Sequence, residues 1–324
     1  MNNLLGILLL SILLIAFLVV GCAPNRPYRT GFSPYDNPRP DEDPLNEAVI
    51  ETAPEYKLGF VEFDEEGWFW DPRQAKVVEE LVSVATGAGD PNSSSQAIIL
   101  FFVHGWKNNA AYNCNNVDML RKTLREVNHA EMVKSTEDHH LPRNIVGIYC
   151  GWRGLSAKLE PFKELSIWTR KKTAHKVGGH GAMTQLFVEL EKLQAASNRH
   201  FLADAPKTEL IIVGHSFGAA AVYSAISQFT TERFVNDVEH GRPLKPLGDQ
   251  VILLNPAFEA SWRFNLNRLA TNINKYPPLQ RPVLSIFTSK GDWATHYFLP
   301  IGQFFPTLFE RMRNPFQRHA SWER

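Results

Sequence analysis

The chain has 324 residues, 44% hydrophobic and 21% charged, which is enough apolar material for a large buried core. Lys and Arg total 34, as do Asp and Glu, so the formal net charge is zero. No basic excess is present to neutralise phosphates, which argues against nucleic acid as a main partner.

At the N-terminus, Leu4 to Val20 reads LLGILLLSILLIAFLVV, the pattern of a signal-peptide h-region or of a short membrane anchor. The residues that follow, Val19-Val20-Gly21-Cys22, resemble a bacterial lipobox, although Met1-Asn2-Asn3 lacks the usual Lys or Arg. The resemblance implies a lipoprotein signal peptide over residues 1–21, cleavage before Cys22, and lipid on its thiol. That lipid, palmitate among its chains, would hold the protein at the membrane of a bacterial cell envelope. Ala23 in place of Asp after the cysteine, by the same resemblance, favours the outer membrane.

Residues 22–55 read as a tether. Pro24, Pro27, Pro34, Pro38, Pro40, Pro44 and Pro54 interrupt regular structure, and Asp41-Glu42-Asp43 keeps the stretch solvated. With Cys22 assigned to lipid, Cys114 and Cys150 are left as one disulfide or two buried thiols, and the sequence leaves both open. The three cysteines do not have zinc-site spacing.

Residues 56–324 alternate strand and helix. Tyr56 to Phe63 and Gly67 to Trp70 predict an antiparallel pair around Asp64-Glu65-Glu66. Asp71 to Thr86 predicts a helix, with Val77, Val78, Leu81 and Val82 at helical spacing. Short apolar runs follow at Ala97 to Val103, Asn144 to Tyr149, Leu210 to Val213, Gln250 to Leu254 and Pro282 to Thr288. They suit strands of a parallel sheet buried on both faces. Helices are expected near Val117 to Val133, Met183 to Ala196, Phe217 to Phe229 and Trp293 to Arg313. The alternation implies one doubly wound α/β domain. Gly154 to Gly181 reads as a surface helix and loop, with a cap near the site as the other reading. Thr231 to Gly248 reads as a polar excursion.

The most informative stretch is Leu210-Ile211-Ile212-Val213-Gly214-His215-Ser216-Phe217-Gly218. A buried strand runs into Gly-X-Ser-X-Gly and then into a helix of small residues. A serine hydroxyl needs a base to become a nucleophile, and a sharp strand-to-helix turn presents it to one. This arrangement resembles the α/β-hydrolase family over roughly residues 56 to 320, with helices on both faces of a mostly parallel sheet. The resemblance implies that Ser216 is the nucleophile, flanked by Gly214 and Gly218. His215 occupies the variable position and is read as an elbow-packing residue.

Phe102-Val103-His104-Gly105-Trp106 resembles the family's oxyanion loop. The donors implied are the backbone N–H groups of Trp106 and Phe217, with Gly105 or Lys107 as alternatives to Trp106. His104 is read as a loop brace. The family's acid follows a late strand, which points to Asp292 in Thr288-Ser289-Lys290-Gly291-Asp292, with Glu259 a poorer candidate. The base falls downstream, at His319, or at His296, or is missing from this chain.

The reaction expected is carboxylic ester hydrolysis through an acyl-serine intermediate, on a small-molecule or lipid ester. Acyl transfer and thioester hydrolysis use the same machinery. The other class is a non-catalytic, membrane-tethered binding or scaffold lipoprotein. Nothing calls for a metal or organic cofactor: no phosphate loop or dinucleotide fingerprint follows a strand, and His139-His140 reads as a solvated turn. Arg153 ends a strand where an anionic group could be met, or forms a salt bridge. The oligomeric state is open.

Overall fold

The computed structural model describes residues 23–32, 47–90, 93–156, 162–200, 206–271 and 281–289. A short parallel pair, β1 (Arg29–Gly31) and β2 (Glu47–Ala48), precedes the main sheet. That sheet contains β3 (Ile50–Thr52), β4 (Lys57–Phe63), β5 (Ala97–Val103), β6 (Asn144–Trp152), β7 (Glu209–His215), β8 (Gln250–Leu254) and β9 (Leu284–Phe287). Their spatial order is β3-β4-β6-β5-β7-β8-β9, and every neighbouring pair is parallel except β3 with β4. The helices are α1 (Pro72–Thr86), α2 (Asn115–Glu137), α3 (Phe162–Gly179), α4 (Ala182–Ser197), α5 (Phe217–Glu239) and the short α6 (Phe264–Ala270).

Local signals set several boundaries. The Asp71 side chain caps α1 by accepting from the Arg73 N–H, Pro72 fills a first-turn position, and Gly87 ends the helix at φ 63°. Strands β5 and β8 occupy the residues that their apolar runs predict. The expected pairing of 67–70 with β4 shrinks to a single antiparallel bridge, Phe63 with Phe69. Strand β3 instead pairs with Lys57 to Gly59 of β4, while β6 takes its other edge along its whole length. Helix α5 runs through Glu239, past the expected end at Phe229, so half of the polar excursion is helical, and Phe234 in it packs with buried Leu244.

The sheet has two unequal faces. Walking along the chain, each strand-to-strand step goes the same way across the sheet except β5 to β6, which goes back. Crossovers keep one hand, so reversing the step puts its helix on the opposite face. Accordingly Val117, Leu120 and Leu124 of α2 pack with Leu58, Phe60 and Tyr149 in one cluster. Val78 and Val82 of α1, Leu186 and Phe187 of α4, and Ala221 and Ile226 of α5 pack with Phe101, Cys150 and Ile212 in the other. Strand β6 is buried on both faces, whereas β7 and β8 alternate buried and half-buried positions. Burial on both faces therefore holds for the middle strands and fails for β7 and β8, and for β9, none of whose residues is buried.

Residues 154–181 hold α3, which is not the surface helix that their charges predict. Ile167, Arg170, Lys171, Ala174 and Val177 are buried. A Cβ on Gly178 would stand 1.9 Å from the Ala221 carbonyl of α5, so only glycine permits this approach. Cys114 and Cys150 are both free thiols. Cys150 belongs to one face's cluster while Cys114 packs beside the other's, so the sheet itself separates them and the disulfide option falls.

Parts of the expected tether pack on the domain. The Arg29 and Tyr28 N–H groups donate to the Glu62 carboxylate, and Gln74 donates to the Arg29 carbonyl. The Arg29 guanidinium donates to Ala110 and Ala48 carbonyls and to Glu51, and lies over the Phe60 ring at 3.5 Å. The expected signal segment 1–21, Cys22, and residues 33–46 lie outside the described residues. No described helix is long and apolar enough to cross a membrane.

Candidate active site

Because the step from β5 to β6 reverses, the helices that follow β5 and β7 lie on opposite faces, which makes the C-terminal ends of these two neighbouring strands the switch point of the sheet. Ligands bind at such points in open α/β sheets. Ser216 sits there, alone between the end of β7 and the start of α5, at φ 55°. Left-handed backbone is costly for a residue with a Cβ, and contacts on three sides hold it. The Ser216 N–H donates to the Leu254 carbonyl, and its own carbonyl accepts from Ala220 and Ala257. The two glycines of the motif are required by packing. A Cβ on Gly214 would stand 2.6 Å from the Ala219 Cα, and one on Gly218 2.2 Å from the Val103 carbonyl. The first-turn N–H groups of α5 have no intrahelical acceptor and gather beside Ser216.

The β5 loop touches this turn. A Cβ on Gly105 would stand 2.9 Å from the Ser216 Cβ and 3.0 Å from Nδ1 of His215. His215 therefore packs on the loop, as expected of it. The Lys107 N–H is spent on the Gly154 carbonyl at 3.0 Å, which removes it as an oxyanion donor and leaves Trp106 and Gly105 from this loop.

His104 braces the same loop. Its Nε2 accepts from the Trp152 N–H at 3.0 Å, so Nδ1 carries the proton and donates to the Gly105 carbonyl at 2.8 Å. The ring stacks on Trp152 with an interplanar angle of 3°. Burial depresses its pKa to about 4 from 6.5. Between those values the unfolded chain binds a proton that the folded chain refuses, so this contribution to stability is complete above pH 6.5 and is lost as pH falls toward 4. Nitrogen-15 NMR is expected to find the neutral Nδ1–H tautomer unchanged down to about pH 5. A ring that titrates near its ordinary value contradicts this bracing role.

Asp292, His319 and His296 lie outside the described residues. The Ser289 N–H, three positions before Asp292, donates to the Asn255 side chain at 2.6 Å, and the Asn255 N–H donates to the Phe287 carbonyl. The strand that leads to Asp292 is thus tied to the loop behind Ser216. Glu259 is committed elsewhere: its carboxylate is buried against the Lys171 ammonium. Among the described residues no histidine hydrogen-bonds the Ser216 hydroxyl.

Sequence reasoning missed what α3 does. Arg170 and Thr173 bond Glu65, Lys171 bonds Glu259, and His175 stacks on Trp262 at 4.2 Å with Nδ1 3.3 Å from the Ser224 hydroxyl. The helix ties the loops after β4 and β8 to α5. Desolvation lowers the His175 pKa to about 4. Asn255, at φ 44°, was also missed. Its one signal was the Asn-Pro pair after a buried strand.

A cleft of about 310 Å³ opens at the ends of β4 and β6 beside the β5 loop, lined by Ala23, Tyr28, Glu62, Lys107, Trp152 and Arg153 among others. Ser216 is not one of its walls. Arg153 is engaged there with Glu65 and with the Ala23 carbonyl, so the salt-bridge reading accounts for it. Burial raises the Glu62 carboxyl to about 7. Among the described residues no three metal-ligating side chains converge. No family model matches the chain, and no curated protein is significantly similar to it.

Proposed function

We propose that this chain is a serine hydrolase of the α/β-hydrolase kind, acting on carboxylic esters through an acyl-serine at Ser216. It is held at the bacterial envelope, at the outer membrane, by lipid on Cys22. Asp292 and His319 are its acid and base. The observation that carries the reading is the left-handed φ of 55° at Ser216, between a parallel strand and a helix N-terminus. A glycine would occupy that conformation at less cost, whereas a serine there presents a hydroxyl where helix N–H groups favour negative charge.

In this scheme the imidazole takes the hydroxyl proton as oxygen attacks the ester carbonyl. The tetrahedral oxyanion is met by the N–H groups of Phe217 and Trp106, the alkoxide leaves with the imidazole's proton, and water repeats the sequence to free Ser216. Each oxyanion donor contributes about 3 kcal/mol to the transition state.

A second reading keeps the fold as a membrane-tethered binding module, favoured by the cleft of about 310 Å³ whose lining does not include Ser216. A fluorophosphonate probe separates the two. The expected result is one covalent adduct on Ser216, lost in Ser216→Ala and in His319→Ala and retained in His296→Ala. A folded wild-type protein that takes up no probe overturns the hydrolase and leaves the binding module.

A further inference from the structure

We infer that the edge of the sheet at the C-terminal ends of β4 to β9, the edge that carries Ser216, faces and touches the lipid bilayer. Two independent observations place the membrane there.

The first is the place of Ala23, the described residue next to Cys22. Ala23 is buried, its N–H donates to the Ser156 carbonyl at 2.8 Å, and its carbonyl accepts from Arg153 at 2.6 Å. Both partners belong to the loop after β6. That loop is bonded to the β5 loop through Gly154 and Lys107, and the β5 loop packs against Ser216. Cys22 follows Ala23 toward the N-terminus with a Cα spacing of about 3.8 Å, and the apolar run Leu4 to Val20 ends two residues before Cys22. Whether lipid on Cys22 or that run itself enters the bilayer, few residues separate the attachment from this edge in the chain.

The second is the distribution of exposed aromatic side chains. Among the described residues the large exposed ones are Trp68, Tyr112, Trp262 and Phe287. Each follows or ends the C-terminal end of a strand, β4, β5, β8 and β9 in turn. Exposed Val84, Leu141 and Val235 lie toward the opposite edge instead. Aromatic rings prefer the membrane–water interface, where an apolar body and a polar rim are both satisfied. Arg26 and Lys107 stand exposed at the rim of the adjoining cleft, placed for anionic headgroups. An ester held in the bilayer then reaches Ser216 without leaving it.

The inference rests on the membrane attachment in the proposed function, and not on the chemistry of Ser216. The test uses the full chain in phosphatidylcholine–phosphatidylglycerol vesicles with and without brominated acyl chains, which quench tryptophan on contact. Wild-type fluorescence is expected to be quenched, and the W68F/W262F variant is expected to lose most of that quenching. Adding Leu141→Trp to that variant is expected to add emission that the bromolipid leaves intact. Quenching unchanged by the two Trp→Phe substitutions, or equal quenching at position 141, overturns the orientation. The mass of the N-terminal peptide, read on the same sample, reports separately whether Cys22 carries lipid, and fluorophosphonate uptake reports separately on the hydrolase.

Discussion

Arg29→Ala is expected to lower the unfolding free energy by about 3–5 kcal/mol, since removing one partner of a buried ion pair strands the other. The guanidinium is 1% exposed and serves several masters at once. It pairs with Glu51 at 2.7 Å and Glu47 at 3.3 Å, and donates to the Ala110 and Ala48 carbonyls. It also covers the Phe60 ring. Glu51 keeps Arg121 in the variant, so the loss falls on Glu47, on the two carbonyls, and on the cavity left by the aliphatic stem. For a domain of this size the change corresponds to a melting point lower by about 10 °C. Arg29→Lys keeps a charge but not the planar fork and should fall between the two. An Arg29→Ala protein that melts within a couple of degrees of wild type would mean that residues 23–32 lie loosely on the domain, which also removes the first support for the orientation of the Ser216 edge.

Arg29 also marks where sequence reasoning stops. The regular elements were legible because their signals are local. Asp71, Pro72 and Gly87 bracket α1, and unbroken Val, Ile and Leu runs give β5 and β8. The turn at Ser216 was legible too, since Gly214 and Gly218 are what its packing requires. Arg29, by contrast, sits among prolines and reads as a solvated charge on a spacer. Its partners Glu51 and Ala110 lie 22 and 81 positions away, and strands of two or three residues carry no periodicity to announce them. Helix α3 fails for the same reason. Arg170-Lys171-Lys172 looks like a surface run, yet Arg170 reaches back to Glu65 and Lys171 forward to Glu259. Burying a charge is tolerable only with a partner, and partners distant in sequence are invisible to a local pattern. The acid and base proposed for Ser216 come from the family resemblance, Asp292 by its place after a late strand and His319 by chain order.

Ser216→Gly is expected to separate stability from the function proposed for this position. A residue with a Cβ spends roughly 1–2 kcal/mol in left-handed backbone, and glycine avoids that cost while losing about 0.5–1 kcal/mol through its freer unfolded chain. The variant should therefore be as stable as wild type or more stable by up to ~1 kcal/mol. At an ordinary strand or helix position the same substitution destabilises by about that amount. By the proposed mechanism turnover should nonetheless fall by about 10⁴-fold or more, since nothing replaces the hydroxyl proposed as nucleophile. The contacts made by the Ser216 backbone, to Leu254, Ala220 and Ala257, need no side chain, so the turn itself should survive. A plain structural bend would be better served by glycine, and strain that surroundings hold in place at the end of a parallel strand is what the proposed nucleophile role accounts for. Denaturant unfolding measures the first quantity and hydrolysis of an aryl ester the second. A Ser216→Gly protein that unfolds more easily and still turns over ester would show that the hydroxyl is ornamental and that the reaction, if any, belongs to another residue.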